Sequence, residues 1–155
     1  MLHNPARTSH VDRLADQLRL TPAPTAQLVK SIIANACIRL PAMPGRNNAE
    51  RLTALIEAGA WADAALAVIE LELPRWKLRR LAYEDGEWIC SLSRQPELPI
   101  EVDDTADGYH ASAALAIWTA FLEARRRTAE GEGRTVAVPR VRARSGLAVC
   151  CDNFS

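Results

Sequence analysis

With 155 residues, 48% of them hydrophobic and 25% charged, the chain has the size and balance of one folded domain, not of a disordered or fibrous protein. Its 19 basic and 19 acidic residues cancel, so no global field draws it to nucleic acid or to a membrane surface. No apolar run approaches the roughly 18 residues of a spanning helix, and Met1–Leu20 carries Asp12 and Asp16 where a signal peptide would have its apolar core.

The expectation is a cytoplasmic protein without a membrane partner. Its cysteines are Cys37, Cys90 and the adjacent pair Cys150 and Cys151, none of them in a CxxC spacing, and all four are expected as reduced thiols. Only Lys30 and Lys77 are lysines; every other basic residue is an arginine. Acids dominate from Glu84 to Asp107, and arginines dominate from Arg125 to Cys151. Such regions can face one another within a fold or across a dimer, or can be separate solvated surfaces.

Val11, Leu14, Ala15 and Leu18 recur at helical spacing, with Thr8 or Ser9 as the N-cap. The run TPAPT, Thr21 to Thr25, ends that helix, and Thr25 caps a second one with the stripe Leu28, Val29, Ile32, Ile33, Ala36 and Cys37. The two form a helical hairpin over residues 1–40. A DNA-reading helix-turn-helix is the competing use of such a pair. Its reading helix should bring donors to bases and phosphates, but here only Gln27 and Lys30 are offered before Arg39.

Pro41 to Asn48 is a loop by composition. Asn48 is placed as the cap of a helix facing inward through Leu52, Leu55 and Ile56, with Gly59 as its C′ residue. Trp61 to Leu73 reads as another helix, stopped by Pro74. Ile69 to Leu73 alternates as a strand would, but the alanine-rich start favours the helix.

Asp85-Gly86 suits the two positive-φ positions of a type I′ turn. That turn sets Glu84 opposite Glu87, Tyr83 opposite Trp88 and Leu81 opposite Cys90. Unbroken alternation would then bring Arg79 onto the apolar face. Counting one extra residue at Arg79-Arg80 places Leu78 opposite Leu92 and returns Trp76 to the side of Leu81 and Tyr83, the side expected to be buried. Both guanidinium groups are then expected to face solvent or nearby acids, and Arg79→Ser to cost under about 1 kcal/mol, as exposed substitutions do.

Arg94 to Asp107 reads as an acidic loop. A last helix follows, capped by Asp107 or Thr105, buried along Ala111, Leu115, Trp118, Phe121 and Leu122, and closed by Arg125-Arg126-Arg127. In the tail, Thr135 to Val138 is the candidate third strand. It would add to its own hairpin or to that of a second copy, giving a homodimer.

These elements give an α+β fold: a small antiparallel β-hairpin or sheet packed on one face by helices, with an N-terminal helical hairpin. A single domain is expected over 1–155, with an α-β-β-α core at 48–128 and an arginine-rich tail at 129–155.

Two constellations can carry chemistry. Arg79 and Arg80, with Arg140, Arg142 and Arg144 of the tail, could fork onto an anionic ligand or a nucleic acid. Asp103, Asp104, Asp107 and His110 offer oxygen and imidazole ligands for a divalent cation, though without the spacing and turn glycine of a calcium loop. No P-loop, dinucleotide fingerprint, nucleophile elbow or zinc spacing is present, and no catalytic residue or cofactor is expected.

From about Asn48 to Arg127 the order is helix, "GAWADAALAVIELELPRWKLRRL", hairpin and the helix "ASAALAIWTAFLEA". This resembles the small helix–sheet–helix proteins of bacterial and phage genomes, of the phage ABA-sandwich type. The resemblance implies that layered fold and no activity. The leading expectation is a non-enzymatic interaction or accessory protein acting as an oligomer, and the alternative is a binding module for an anionic ligand or nucleic acid.

Overall fold

A computed structural model describes residues 5–42 and 45–133. Helices α1 (Pro5–Leu20) and α2 (Ala26–Ala36) form the N-terminal hairpin. A short 3-10 turn (Leu40–Ala42) leads to α3 (Arg46–Glu57) and α4 (Trp61–Glu72). Strands β1 (Lys77–Glu84), β2 (Glu87–Ser93) and β3 (Ala106–His110) make an antiparallel sheet in that order, and α5 (Ala113–Gly133) ends the described chain. The fold is α+β.

Local chemistry explains several helix ends. Thr25 is the N-cap of α2, its hydroxyl accepting from the Leu28 amide at 3.2 Å. At the end of α3, Gly59 (φ 70°) donates to the Ile56 carbonyl and Ala60 to that of Leu55. This is the paired bonding of a glycine-terminated helix. Two expected caps are corrected. Helix α1 already runs from Pro5, ahead of Thr8 and Ser9, and α3 starts at Arg46 after Gly45, which puts Asn48 inside its first turn.

Residues 61–72 are helical, so the alternation at Ile69–Leu73 is not a strand. The reason lies in what the helix buries: Ala64, Ala65, Val68 and Ile69 all enter the core. Glu72 is buried with them. Its two oxygens accept from the Ile38 amide at 3.0 Å and the Leu40 amide at 2.5 Å, satisfying two backbone donors in the link from α2 to the 3-10 turn. Arg125 supports the same corner by donating through Nε to the Ala36 carbonyl at 2.9 Å.

The last helix differs most from expectation. Residues 106–110 are a strand, so neither Asp107 nor Thr105 caps α5 and Ala111 lies outside it. Ser112 takes the capping position: its carbonyl accepts from Ala116 at 2.9 Å and its hydroxyl from Leu115 at 3.5 Å. Burial in β3 alternates, with Ala106, Gly108 and His110 inward. The strand satisfies the free edge of β2, a need that composition near Asp107 does not announce.

Helix α5 is the hub. Leu115, Ala116, Ile117, Trp118, Ala120, Phe121, Leu122 and Ala124 are all fully or almost fully buried, and Trp118 meets Phe121 edge-on at 5.9 Å. One flank lies on β2 and β3, and others meet α1 and α4. It continues past Arg125–Arg127 to Gly133, held by i,i+3 and i,i+4 pairs of Arg126 with Glu123 and Glu130 and of Arg127 with Glu123. Among the described residues, no helix is long and apolar enough to cross a membrane.

Candidate functional site

The hairpin has the register that its turn demands. Asp85 (φ 52°) and Gly86 (φ 86°) form the turn, and the pairs run from Glu84–Glu87 through Tyr83–Trp88 and Leu81–Cys90 to Arg80–Ser91. The register then shifts, and Leu78 pairs with Leu92. Arg79 is the extra residue.

The two arginines separate at this bulge. Arg79 turns inward: Nη1 donates to Asp103 Oδ2 at 2.5 Å and Nη2 to the Leu98 carbonyl at 2.7 Å. Only 17% of its side chain and 2% of that of Asp103 are exposed. The expectation of a mild Arg79→Ser change therefore does not hold, because Arg79 pins the 94–105 connection onto the hairpin and neutralises a buried carboxylate. Arg80 stays on the surface and pairs with Glu84 along the same strand face.

The acidic constellation is also dispersed. Asp103 belongs to Arg79, and Asp104 pairs with Arg127 and lies 3.9 Å from Arg94. Asp107 Oδ2 accepts from the Thr105 hydroxyl at 3.2 Å. His110 is buried, with Nδ1 accepting from the Ser112 amide at 2.9 Å. Its Nε2 must therefore carry the proton, which it shares between the Leu18 carbonyl at 3.1 Å and the Thr21 carbonyl at 3.0 Å. The ring closes the C-terminus of α1. Among the described residues, no three His, Cys, Asp or Glu side chains are grouped to hold a metal. Arg140, Arg142, Arg144 and the candidate strand 135–138 lie outside the described residues.

A feature the sequence reading placed wrongly is the apolar side of β1. Leu78, Leu81 and Tyr83 share the sheet face of Leu92, Cys90 and Trp88, as alternation requires. They are not buried: 42%, 39% and 60% of their surfaces are exposed. Helix α5 covers β2 and β3 on this face and leaves β1 open. Trp76 alone is covered there. Its indole donates to the Thr128 hydroxyl at 3.1 Å, and the Arg94 guanidinium lies 5.0 Å from its ring centre.

Tyr83 leans on Trp88 with ring centres 5.5 Å apart, so the uncovered row has an ordered end. The outer edge of β1 has no strand beside it among the described residues. A row of exposed apolar side chains thus borders a row of unpaired backbone groups, the arrangement that sheets use to add another strand.

A groove of about 490 Å³ lies between α1, β3 and α5, walled by Asp12, Asp16, Asp107 and Glu123 with Arg19 and Arg126. Its bases are already engaged, Arg19 with Asp16 and Arg126 with Glu123. No family model, curated protein or solved structure matches the chain.

Proposed function

We propose that the protein is a non-enzymatic interaction protein whose working surface is the open edge and uncovered face of β1. The observation that carries this reading is the row Leu78, Leu81 and Tyr83, exposed beside an edge that among the described residues has no partner strand. Proteins generally blunt such edges with charge, proline or a covering element, because an apolar edge pairs with other chains. Here the bulge at Arg79 bends one end, while residues 80–84 remain regular and, among the described residues, pair only with β2. The competing anion-binding use of Arg79 and Arg80 would first have to break the buried Arg79–Asp103 pair.

The test is photo-crosslinking in living cells, with benzoylphenylalanine replacing Tyr83 and, as a control, the exposed Thr53 of α3. The expected result is a discrete higher-mass adduct from position 83 and none from position 53. No adduct at 83, or the same smear at both positions, overturns the reading.

A further inference from the structure

We infer that β1 pairs with β1 of a second copy, antiparallel about a twofold axis at Ala82; the inference rests on the interaction reading and names its partner. Three constraints select the register.

The first is backbone direction. The i to i+3 bond of the two-residue turn makes Glu84–Glu87 a hydrogen-bonded pair. By alternation Ala82 and Arg80 also aim their amides and carbonyls at β2. Leu81 and Tyr83 then aim theirs at the open edge, so any added strand must bond to those two residues.

The second is side-chain parity. Residues opposite one another across a ladder share a face. With Arg79 as the irregular residue, only Arg80–Glu84 offer an uninterrupted run. Within it, three symmetric registers use the available backbone groups: Leu81 opposite its own copy, Tyr83 opposite its own copy, or Leu81 opposite the partner's Tyr83.

The third is charge, and it decides. Leu81 opposite itself places Arg80 against the partner's Ala82 and Tyr83 against the partner's bulge. Tyr83 opposite itself places Glu84 against the partner's Ala82 and runs Arg80 past the end of the partner's strand. Leu81 opposite the partner's Tyr83 makes two apolar pairs on the uncovered face. On the other face it places Arg80 opposite the partner's Glu84, twice. Both side chains are accessible for this, with 40% and 47% exposed, and each already has the other as its ion-pair partner within the chain. The strand KLRRLAYE is thus self-complementary in one register. The product is a continuous six-stranded sheet with the two β1 strands at its centre, an isologous contact that closes on itself.

Charge reversal in separate chains tests this without relying on any single variant. Arg80→Glu sets two acids against two acids across the axis, and Glu84→Arg sets two bases against two bases. Each variant is expected to weaken dimerisation about tenfold or more, lowering the light-scattering mass from twice the chain mass toward the chain mass. An equimolar mixture is expected to recover the dimer, because every cross-axis pair is then opposite in sign while the pair inside each chain stays broken. Recovery also shows that the variants fold.

In a Cys150→Ser, Cys151→Ser background, Ala82→Cys should form a covalent dimer on mild oxidation. Non-hydrogen-bonded antiparallel partners lie about 4.5 Å apart at Cα, within disulfide reach. Leu81→Cys should not cross-link. A wild-type chain that stays monomeric over a dilution series, a mixture that does not recover the dimer, or cross-linking through Leu81→Cys in place of Ala82→Cys overturns the inference. A position-83 photo-adduct of a mass other than twice the chain would sink self-pairing and leave the interaction reading standing. Absence of any adduct would sink both.

Discussion

Gly108 on β3 faces the backbone of Ala116 on α5 with no room for a methyl group between them. A Cβ at Gly108 would lie 2.2 Å from the Ala116 carbonyl oxygen and 2.4 Å from the Ala120 amide nitrogen. The obstacles are main-chain atoms of a buried helix, which cannot swing aside as a flexible side chain could. Gly108→Ala should therefore force α5 off the sheet and cost about 2 kcal/mol or more, read as a lower urea midpoint. Gly131→Ala, with nothing within 4 Å, should instead be neutral or stabilising by up to about 1 kcal/mol, since alanine is the better helix former. Equal effects at the two sites would refute the close-approach account.

The Arg79–Asp103 pair predicts a second contrast. Removing Arg79 alone leaves a nearly inaccessible carboxylate without its counter-charge, so Arg79→Ser should cost about 3–5 kcal/mol. Replacing both partners, as Arg79→Met with Asp103→Leu, should recover most of that loss, because an apolar pair has no unpaired charge to bury. Denaturant unfolding of the single and double variants measures the coupling. Additive single effects would mean that the pair is not what holds the connection down.

The same residues mark how far sequence reasoning reaches. The hairpin register was legible because Asp85-Gly86 fixes the turn and alternation carries it outward, and parity alone located an extra residue at Arg79-Arg80. Both guanidinium groups meet nearby acids, as expected, but parity has no bearing on how deep a long side chain ends, so the burial of the Arg79–Asp103 pair was missed. Alternation likewise assigns Leu81 and Tyr83 to the face of Cys90 without showing whether a helix reaches that far. Strand β3 was hidden for a related reason: Asp107-Gly108 is turn-like in composition, and its extension depends on the edge of β2 and on α5 approaching Gly108. The acidic set from Asp103 to His110 was compact in sequence and scattered in space, because Asp103 and Asp104 lie in the connection before β3 and pair with Arg79 and Arg127, while Asp107 and His110, three apart on the extended strand, point to opposite faces.

Thiol chemistry should separate the buried cysteines from solvent. Burial, with Glu72 adding to it and Arg125 opposing it, pushes the Cys37 thiol up from 9.0 to about 12. Burial and the nearby Asp107 carboxylate do the same for Cys90, also to about 12. Both should resist a thiol reagent in the folded protein at mildly alkaline pH and react once denatured. Denatured but unreduced protein should show four free thiols, matching its four cysteines; two or fewer would overturn the reduced state. Because the folded thiols hold their protons more tightly than the unfolded ones, this contribution to stability is intact below 9.0 and lost as pH rises toward 12.

Acid should act through Glu123. Partial burial pushes its carboxyl up, but hydrogen bonds from Arg126 (2.7 and 3.1 Å) and Arg127 (2.9 Å), with their charges, outweigh that and hold it below its ordinary 4.5. A depressed carboxylate stabilises the fold above its unfolded value, and that stabilisation is lost as pH falls through the folded one. Arg127 also reaches Asp104, so the cluster ties the later turns of α5 to the connection that Arg79 holds from the other side. Wild type should therefore exceed Glu123→Gln in unfolding free energy near neutral pH, and the gap should narrow progressively below 4.5. Urea titrations of both proteins across that range provide the measurement. A gap that stays constant with pH would show that the glutamine loses packing or hydrogen-bond geometry, and that the charge held between Arg126 and Arg127 contributes nothing.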